Sequence, residues 1–492
     1  MRAGLCLLGL GIGLLGVGCR SSVCEGPGCT FVPPVVAFTN APPAVLKGGC
    51  DTTKAQALGG CAVAESDGVF VATTGDDTAA GTPAAPLKTI GAGVAMAAKS
   101  ATRVNVYVCG GAYDERVTIA SATSGVAIHG GFSCDGGTWT WADAPTSLAP
   151  RKPWPQATLT VRGVAVVVED LAIDAPTAAG QFVDGSGTGS TGVLLYNAPG
   201  ATLRRAHITA GDGAPGLVGF SDTTKLGTAP AGMDSPAPQA AGDAVTNTCA
   251  NGTSVGGQGG DQSRAPQAGT PKIANASPTA GAAGTVVING CSESGGKDGW
   301  PGLVGMWGAG ASTVGTLDDK GAFVGTIGGD GQMGGVGQGG GGAWGNFDLN
   351  GGGGGAGGCG GRGGGGGGAG GASIAIVSMS SALRLIGTRV ASGNGGAGAD
   401  GGLGQQGQLG APGGKGRQVQ LGAWCSGGTG GSGGYGGEGG GGAGGVTYGI
   451  AYVKTAPEID AASEIMTGKP GRGGGVENTQ AVDGEAALQK KL

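Results

Sequence analysis

The residues of this chain with the most definite chemistry are its cysteines. Ten of them, Cys24, Cys29, Cys50, Cys61, Cys109, Cys134, Cys249, Cys291, Cys359 and Cys425, follow the N-terminal twenty residues, and an even set suits a disulfide framework. Spacing does not fix connectivity; the expectation is pairing in order along the chain. There is no Cys-x-x-Cys pair and no His-Glu-x-x-His run, and the only histidines are His129 and His207. A zinc site therefore has no ligand set, and no metal or cofactor is expected. Gly-Gly-Asp-Gly at 328–331 and Ala-Asp-Gly-Gly at 399–402 resemble calcium-binding glycine repeats, but the repeating nonapeptide that builds such sites is missing. Lysine and arginine number 28 against 33 acidic residues, with no basic block to neutralise phosphates, so a nucleic-acid partner is excluded.

The elements that must position these residues are unusual. Glycine supplies 120 of 492 residues, far above the roughly 7% of ordinary proteins, yet 39% of the chain is apolar and only 12% charged. That is not the composition of plain disorder, so much of the chain must pack. Residues 1–18 carry one early charge, Arg2, and an apolar run from Leu5 to Val17, the form of a secretory signal too short and glycine-rich to span a membrane stably. Gly16-Val17-Gly18 before Cys19 resembles the cleavage box of bacterial lipoproteins, although Leu15 stands one place earlier than that family places its leucine. The resemblance implies lipidation of Cys19; an ordinary secretory signal is the alternative, and either exports the chain. Residues 19–48, with Pro33-Pro34 and Pro42-Pro43, read as an extended tether.

From Val69 the order is a strand, a turn rich in Gly, Asp and Pro, a short helix from about Leu87, and a strand entering a tight turn. The run Gly75-Asp76-Asp77, Gly81-Thr82, Ala85-Pro86-Leu87-Lys88-Thr89-Ile90, with Val108-Cys109-Gly110-Gly111-Ala112-Tyr113-Asp114-Glu115, resembles the opening of right-handed parallel β-helix proteins of the pectin-lyase-like superfamily. The resemblance implies a helix capping the first coil, a corner at the Gly-x-Tyr-x-Glu segment, and an all-β fold. Cys109, where that family commonly has proline, lies 25 residues from Cys134, close to one coil, which would stack the pair. Strand signals continue at 126–128, 158–161, 164–168 and 171–173, and Trp139, Trp141 and Trp154 near prolines read as loop-packing groups. Enzymes of that superfamily gather carboxylates or basic residues on one coil face; the corresponding candidates are Asp170, Asp174, Asp184, Arg204, Arg205, His207 and Asp212. None has a spacing that demands chemistry. Strand alternation sends Arg204 and Arg205 to opposite faces, so at most one joins His207 on the same side, and no catalytic residue is assigned.

An internal repeat carries the fold onward. Val193 to Ile208, Ile374 to Val390 and Ile450 to Ile465 each run from an apolar step to the residue before a glycine-rich stretch. Glycine recurs at every third position from Gly395 to Gly416, and triplets recur at 296–308, 325–340 and 427–445. A period of three fits short polyglycine-II helices packed through side-chain-free rows; flexible loop is the alternative. The runs 395–416 and 427–445 are expected to be antiparallel neighbours, with Gln405, Gln406 and Gln408 turned away from the contact. The organisation expected is a signal over 1–18, a tether over 19–48, cap and coils over 49–210, and an irregular loop over 211–292. A glycine-rich segment over 293–371, a coil over 372–392, glycine triplets over 393–445 and a last coil and tail over 446–492 complete it. The functional expectation is a non-catalytic structural or adhesive lipoprotein of the bacterial envelope, anchored in the outer membrane. Its partners would be the membrane and envelope polysaccharide; the alternative is a carbohydrate-binding or polysaccharide-degrading β-helix enzyme.

Overall fold

The computed structural model describes residues 63, 65–120, 125–153, 156–237, 240–285, 294–345, 349–418 and 425–492. The signal segment, the whole tether region with Cys19, Cys24 and Cys29, and Cys50, Cys61, Trp154 and Cys291 lie outside the described residues.

The apolar strands wind as a parallel β-helix. Each coil after the first contributes one strand to each of three sheets, the first giving only Gly68–Val71, and the pairings between coils are parallel. One sheet contains, in order, Gly68–Val71, Asn105–Cys109, Val126–Ser133, Val166–Glu169, Ala201–Arg204, Leu383–Ile386 and Glu458–Ile459. A second runs from Gly111–Tyr113 through Thr146–Leu148, Ala172–Asp174, His207–Ala210 and Arg389–Ser392 to Glu464–Met466. The third runs from Val117–Ala120 through Leu159–Arg162, Ser190–Tyr196, Ser373–Met379 and Thr447–Val453 to Ala486–Lys491.

Alternate strand residues point inward, so like residues stack from coil to coil. One column is Val106, Ile128, Val168, Leu203, Leu385 and Ile459; another is Leu148, Ile173, Ile208, Val390 and Ile465. In the third sheet Val193 stacks on Ile376 and Ile450, so the repeat begins at Ile376 and not at Ile374, whose partner is Thr191. The apolar end of the first coil is covered by the helix Ile90–Ala98, which buries Ile90, Val94 and Ala97 in the same core. Its N-terminal amides are held by side chains brought from elsewhere: Thr89 Oγ1 accepts from Ala92 N, and the Glu115 carboxylate accepts from Ile90 N at 2.6 Å and Gly91 N at 2.9 Å.

The glycine-rich segments leave the β-helix at one corner, between the second and third sheets, and form a slab. Among the described residues six extended helices form its body, g1 (213–235), g2 (296–311), g3 (328–343), g4 (352–371), g5 (395–415) and g6 (427–445), and the shorter stretch 468–475 pairs with g5 and g6. Every third amide donates to a neighbour. Gly396, Ala399, Gly402, Gln405, Gln408, Ala411 and Gly414 of g5 donate to Gly371, Gly368, Gly365, Arg362, Cys359, Ala356 and Gly353 of g4, running antiparallel. Gly427, Gly430, Gly433, Gly436, Gly439, Gly442 and Gly445 of g6 donate to g5 in the same manner, the antiparallel pairing expected from the sequence. Similar ladders join g1 to g4 and g5, g3 to g4 and g6, g4 to g6, and g2 to g3 and g6. That pattern of neighbours is a two-layer strip, g1–g4–g3 over g5–g6–g2, the packing of polyglycine-II.

Residues 213–235, within the stretch expected as irregular, are therefore a slab helix, and Val245–Cys249 with Gly252–Gly256 forms a hairpin lying on the slab. That hairpin is tied to g4 by Cys249–Cys359, so pairing is not sequential here; Cys109 and Cys134 are joined, and Cys425 is also disulfide-bonded. Sequence order failed for Cys249 because the slab brings segments 110 residues apart into contact.

Candidate functional site

The acidic and basic candidates fall in separate places. Asp170 and Arg205 form a two-pronged ion pair, 2.8 Å from Nε to Oδ1 and 3.0 Å from Nη2 to Oδ2, and Trp141 Nε1 donates to Asp170 Oδ2 at 3.2 Å. Beside it, Glu169 Oε1 forms an ion pair with Arg204 Nη1 at 2.7 Å, and its Oε2 lies 3.1 Å from His129 Nδ1, whose Nε2 is 3.1 Å from Asn105 Oδ1. These groups sit on the outer side of the first sheet, where the register stacks Tyr107, His129, Glu169 and Arg204 on successive coils. The loop after Cys134 folds over part of them: Trp139 packs with Phe70, Tyr107 and Phe132, and the Trp141 ring bonds to Asp170.

His129, Glu169 and Asp170 are all 0% exposed. Burial pushes the Asp170 carboxyl up to about 6 against the pull of Arg205. A sealed ladder of this kind holds coils in register and offers a substrate no approach. Both arginines reach the acidic pair, contrary to the alternation argument, because the strand ends at Arg204 and Arg205 turns to φ 48°.

The other candidates are brought to neither arginine. Asp174 accepts from Thr209 Oγ1 on the next coil. His207 stacks between Ala172 and Arg389 in the second sheet, and burial lowers its pKa from the ordinary value. Asp184 caps a turn through Ser186 N at 2.9 Å, and Asp212 accepts from Asn394 N at 2.6 Å, while Asn394 Oδ1 accepts from Lys469 N at 2.9 Å. These last contacts stitch the corner where the slab leaves the coils. The two aspartates of the calcium-like runs serve the slab as well: Asp330 accepts from Gly366 N and Asp400 from Gly475 N. Among the described residues no three His, Cys, Asp or Glu side chains gather as a metal site.

What the structure does assemble is a surface. Glycine rows fill the slab interior, so side chains of the lower layer project from one face: Leu403, Gln406, Leu409 and Pro412 from g5, Thr429, Tyr435 and Glu438 from g6, and Pro301, Val304 and Trp307 from g2. A second ridge of g2, at the edge of the slab, adds Trp300, Leu303 and Met306. Trp300 is 41% exposed, Leu303 55%, Val304 62%, Met306 66% and Trp307 54%, a contiguous apolar strip on one helix. Sequence reasoning found the glycine triplets here and passed over the residues between them. The signal was Trp300-Pro-Gly-Leu-Val-Gly-Met-Trp307, large apolar pairs between glycines at a spacing that turns them outward. Compared with protein-family models, curated proteins and solved structures, the chain gives no match, and no family is identified.

Proposed function

We propose that this protein is a non-catalytic display scaffold of the bacterial cell envelope, held at the outer membrane through lipid on Cys19, which adheres through the outer face of its glycine slab. The observation that carries the reading is the apolar strip Trp300–Trp307. Soluble proteins rarely leave a contiguous apolar patch in water unless it meets a partner, and here both rows of one helix do so. The β-helix supplies a rigid post, and the slab extends from it by roughly 60 Å at about 3.1 Å per residue. The disulfides mark an extracytoplasmic protein, and among the described residues no helix is long and apolar enough to cross a membrane. The partner proposed is envelope polysaccharide, on whose rings exposed Trp300, Trp307 and Tyr435 can stack.

Fluorescently labelled protein should bind isolated envelopes and their purified polysaccharide, and the double substitution Val304→Asp with Trp307→Asp should reduce binding at least tenfold without shifting Tm. Equal binding by the double variant removes the reading. Release of reducing ends or unsaturated sugars from acidic polysaccharides, with or without calcium, would replace it with the enzymatic alternative. Fatty-acid labelling that persists in Cys19→Ala would remove the anchor.

A further inference from the structure

A cleft of about 480 Å³ opens where the slab meets the coils, a volume within the roughly 300–1,000 Å³ typical of small-molecule sites. One wall is the turn Phe182-Val183-Asp184-Gly185-Ser186, which bridges the second and third sheets one coil before the first slab excursion. The opposite wall is the hairpin of Gly315–Leu317 and Phe323–Gly325, and the floor is Gly370-Gly371-Ala372 at the end of g4. Both walls are fixed in shape. Phe182 N donates to Ser186 O at 2.8 Å and Gly185 N to Phe182 O at 3.0 Å, with Gly185 at φ 82°. At the hairpin tip Asp318 N donates to Ala322 O at 2.8 Å and Gly321 N to Asp318 O at 3.2 Å, with Gly321 at φ 87°.

These turns hold apolar side chains out in water on both sides of the cleft. Val183 is fully exposed and Phe182 44% exposed; on the facing wall Val324 is 50% exposed and Phe323 half-buried. Each wall also carries one carboxylate. Asp184 Oδ1 accepts from Ser186 N at 2.9 Å, and Asp318 Oδ1 accepts from Lys320 N at 2.9 Å and Ala322 N at 2.7 Å. These bonds orient each carboxylate through one oxygen and leave its Oδ2 without a hydrogen bond from the described residues. Asp184 and Asp318 are the only charged residues of the lining; Lys320, on the same hairpin tip, does not line the cleft.

Two negative charges on one apolar-walled space repel each other, and walls of low dielectric focus their field into it. An uncharged guest leaves that repulsion in place and an anion adds to it, whereas a cation relieves it and offers charge-assisted bonds to the open carboxylate oxygens. A bare metal ion is a poor match, since calcium or magnesium takes about six oxygen ligands and among the described residues no three His, Cys, Asp or Glu side chains gather as a metal site. The rest of the lining suits an organic body: the rings of Phe182 and Phe323 attract a desolvated ammonium, and Val183 and Val324 add apolar area. We propose that this cleft binds an aromatic ammonium ion, its nitrogen held by Asp184 and Asp318 and its ring against Phe182, Val183 and Val324. The site is separate from the g2 strip and does not depend on the adhesive reading.

The probes share one ring system and differ in charge: 1-naphthylmethylammonium, 1-naphthalenemethanol and 1-naphthoate, each titrated calorimetrically into the full chain at neutral pH and low salt. The ammonium should bind at least about tenfold more tightly than the alcohol, and the carboxylate should bind most weakly. Added salt should weaken the ammonium and leave the alcohol unchanged. Asp184→Asn and Asp318→Asn keep the oxygen that accepts the turn amides, so each should retain the wild-type circular dichroism and Tm. Each should weaken the ammonium about fivefold while leaving the alcohol unchanged. Ala322→Trp, which fills the cleft from an exposed turn position, should weaken both at least tenfold. Val304→Asp, on the g2 strip, should alter neither. An alcohol that binds as tightly as the ammonium, ammonium affinity that survives Asp184→Asn combined with Asp318→Asn, retained affinity in Ala322→Trp, or ammonium affinity lost in Val304→Asp would each overturn the proposal.

Discussion

In the coils, backbone hydrogen bonds run from strand to strand and the space they enclose is filled by Val, Ile and Leu; in the slab the bonds run from helix to helix and no enclosed space remains to fill. The two regions thus differ in what their sequences must guarantee. A coil needs apolar volume of about the right size, which several residues supply. A slab row needs the absence of a side chain, which only glycine supplies. It also forgoes the hydrophobic term, so cohesion rests on repeated amide–carbonyl bonds and weak Cα–H···O contacts against the large entropy cost of ordering glycine.

The sharpest way to break this comparison is to add methyl groups to a slab row. A Cβ at Gly404, Gly407 or Gly410 would strike the backbone carbonyl of Gly436, Gly433 or Gly430 respectively. Backbone cannot step aside as a rotamer can, so each costs about 1–3 kcal/mol. The triple alanine variant should open g5 and g6 to proteolysis while strand circular dichroism from the coils persists. Ile376→Val in a coil should cost about 1 kcal/mol. Protease resistance unchanged in the triple variant would show that the glycine rows are not the packing contact.

Next in size is the tie between hairpin and slab. Cys249–Cys359 closes a loop across a sequence separation of 110, for which chain-entropy reasoning gives about 4–5 kcal/mol. Cys359→Ser should lower the stability of the slab transition by an amount of that order, and reduction of the wild type, which also opens Cys109–Cys134 and the disulfide of Cys425, should lower it by at least as much. An unchanged midpoint under reduction would mean that the ladders alone hold the hairpin.

The same contrast explains what could be read from the sequence. The coils were legible because their rule is local: Val126, Ile128, Leu159, Val161 and Ile173 announce strands by type and alternation. The glycine triplets were legible for the same reason, and even the g5–g6 pairing followed from period and turn length. Residues 213–235 were not, because g1 lies at the slab edge, where g4 and g5 are its slab partners and only Ala214 to Leu217 also meet the turn at Gln181, Gly185 and Thr188. Its other sides face water and accept Leu217, Val218 and Phe220. An edge helix needs glycine only where it is covered, so the triplet dissolves in the sequence while the conformation persists. The Glu169–Arg204 and Asp170–Arg205 pairs were missed as pairs because a left-handed corner residue cancels strand alternation.

Asp170 in the coil ladder is buried, whereas Asp298, Asp330, Asp400 and Glu438 on the slab are exposed. Asp170 is raised from 3.8 to about 6 in the folded protein, chiefly by burial. Between those values the folded state binds more protons than the unfolded state, so this group's contribution to stability falls as pH rises through the window and is constant above it. The full effect is about 2–3 kcal/mol. Asp170→Asn should flatten that slope in denaturation midpoints measured from pH 4 to pH 7. A slope identical in variant and wild type would assign the titration elsewhere.

The smallest effects distinguish the two sides of a single slab helix. Gln405, Gln406 and Gln408 were expected to be equivalent outward residues, and they are not. Gln405 is 4% exposed; its Nε2 donates to Thr224 O at 2.8 Å and its Oε1 accepts from Arg362 N at 3.0 Å. Gln408 Oε1 accepts from Cys359 N at 2.9 Å and from Asn247 Nδ2 at 2.8 Å. Both supply partners to amides of g4 that no carbonyl reaches, so a third row of g5 faces inward along with the glycines. Gln406 belongs to the exposed row of Leu403 and Leu409. Gln405→Ala should therefore cost about 1–2 kcal/mol, the price of an orphaned buried amide, whereas Gln406→Ala should stay within about 0.5 kcal/mol of wild type. Hydrogen exchange reads the difference at one atom: the Arg362 amide should exchange faster in Gln405→Ala and at the wild-type rate in Gln406→Ala. Faster exchange at Arg362 in both variants would mean that helix g5 loosens as a whole, and that its three rows are not the independent faces described for it.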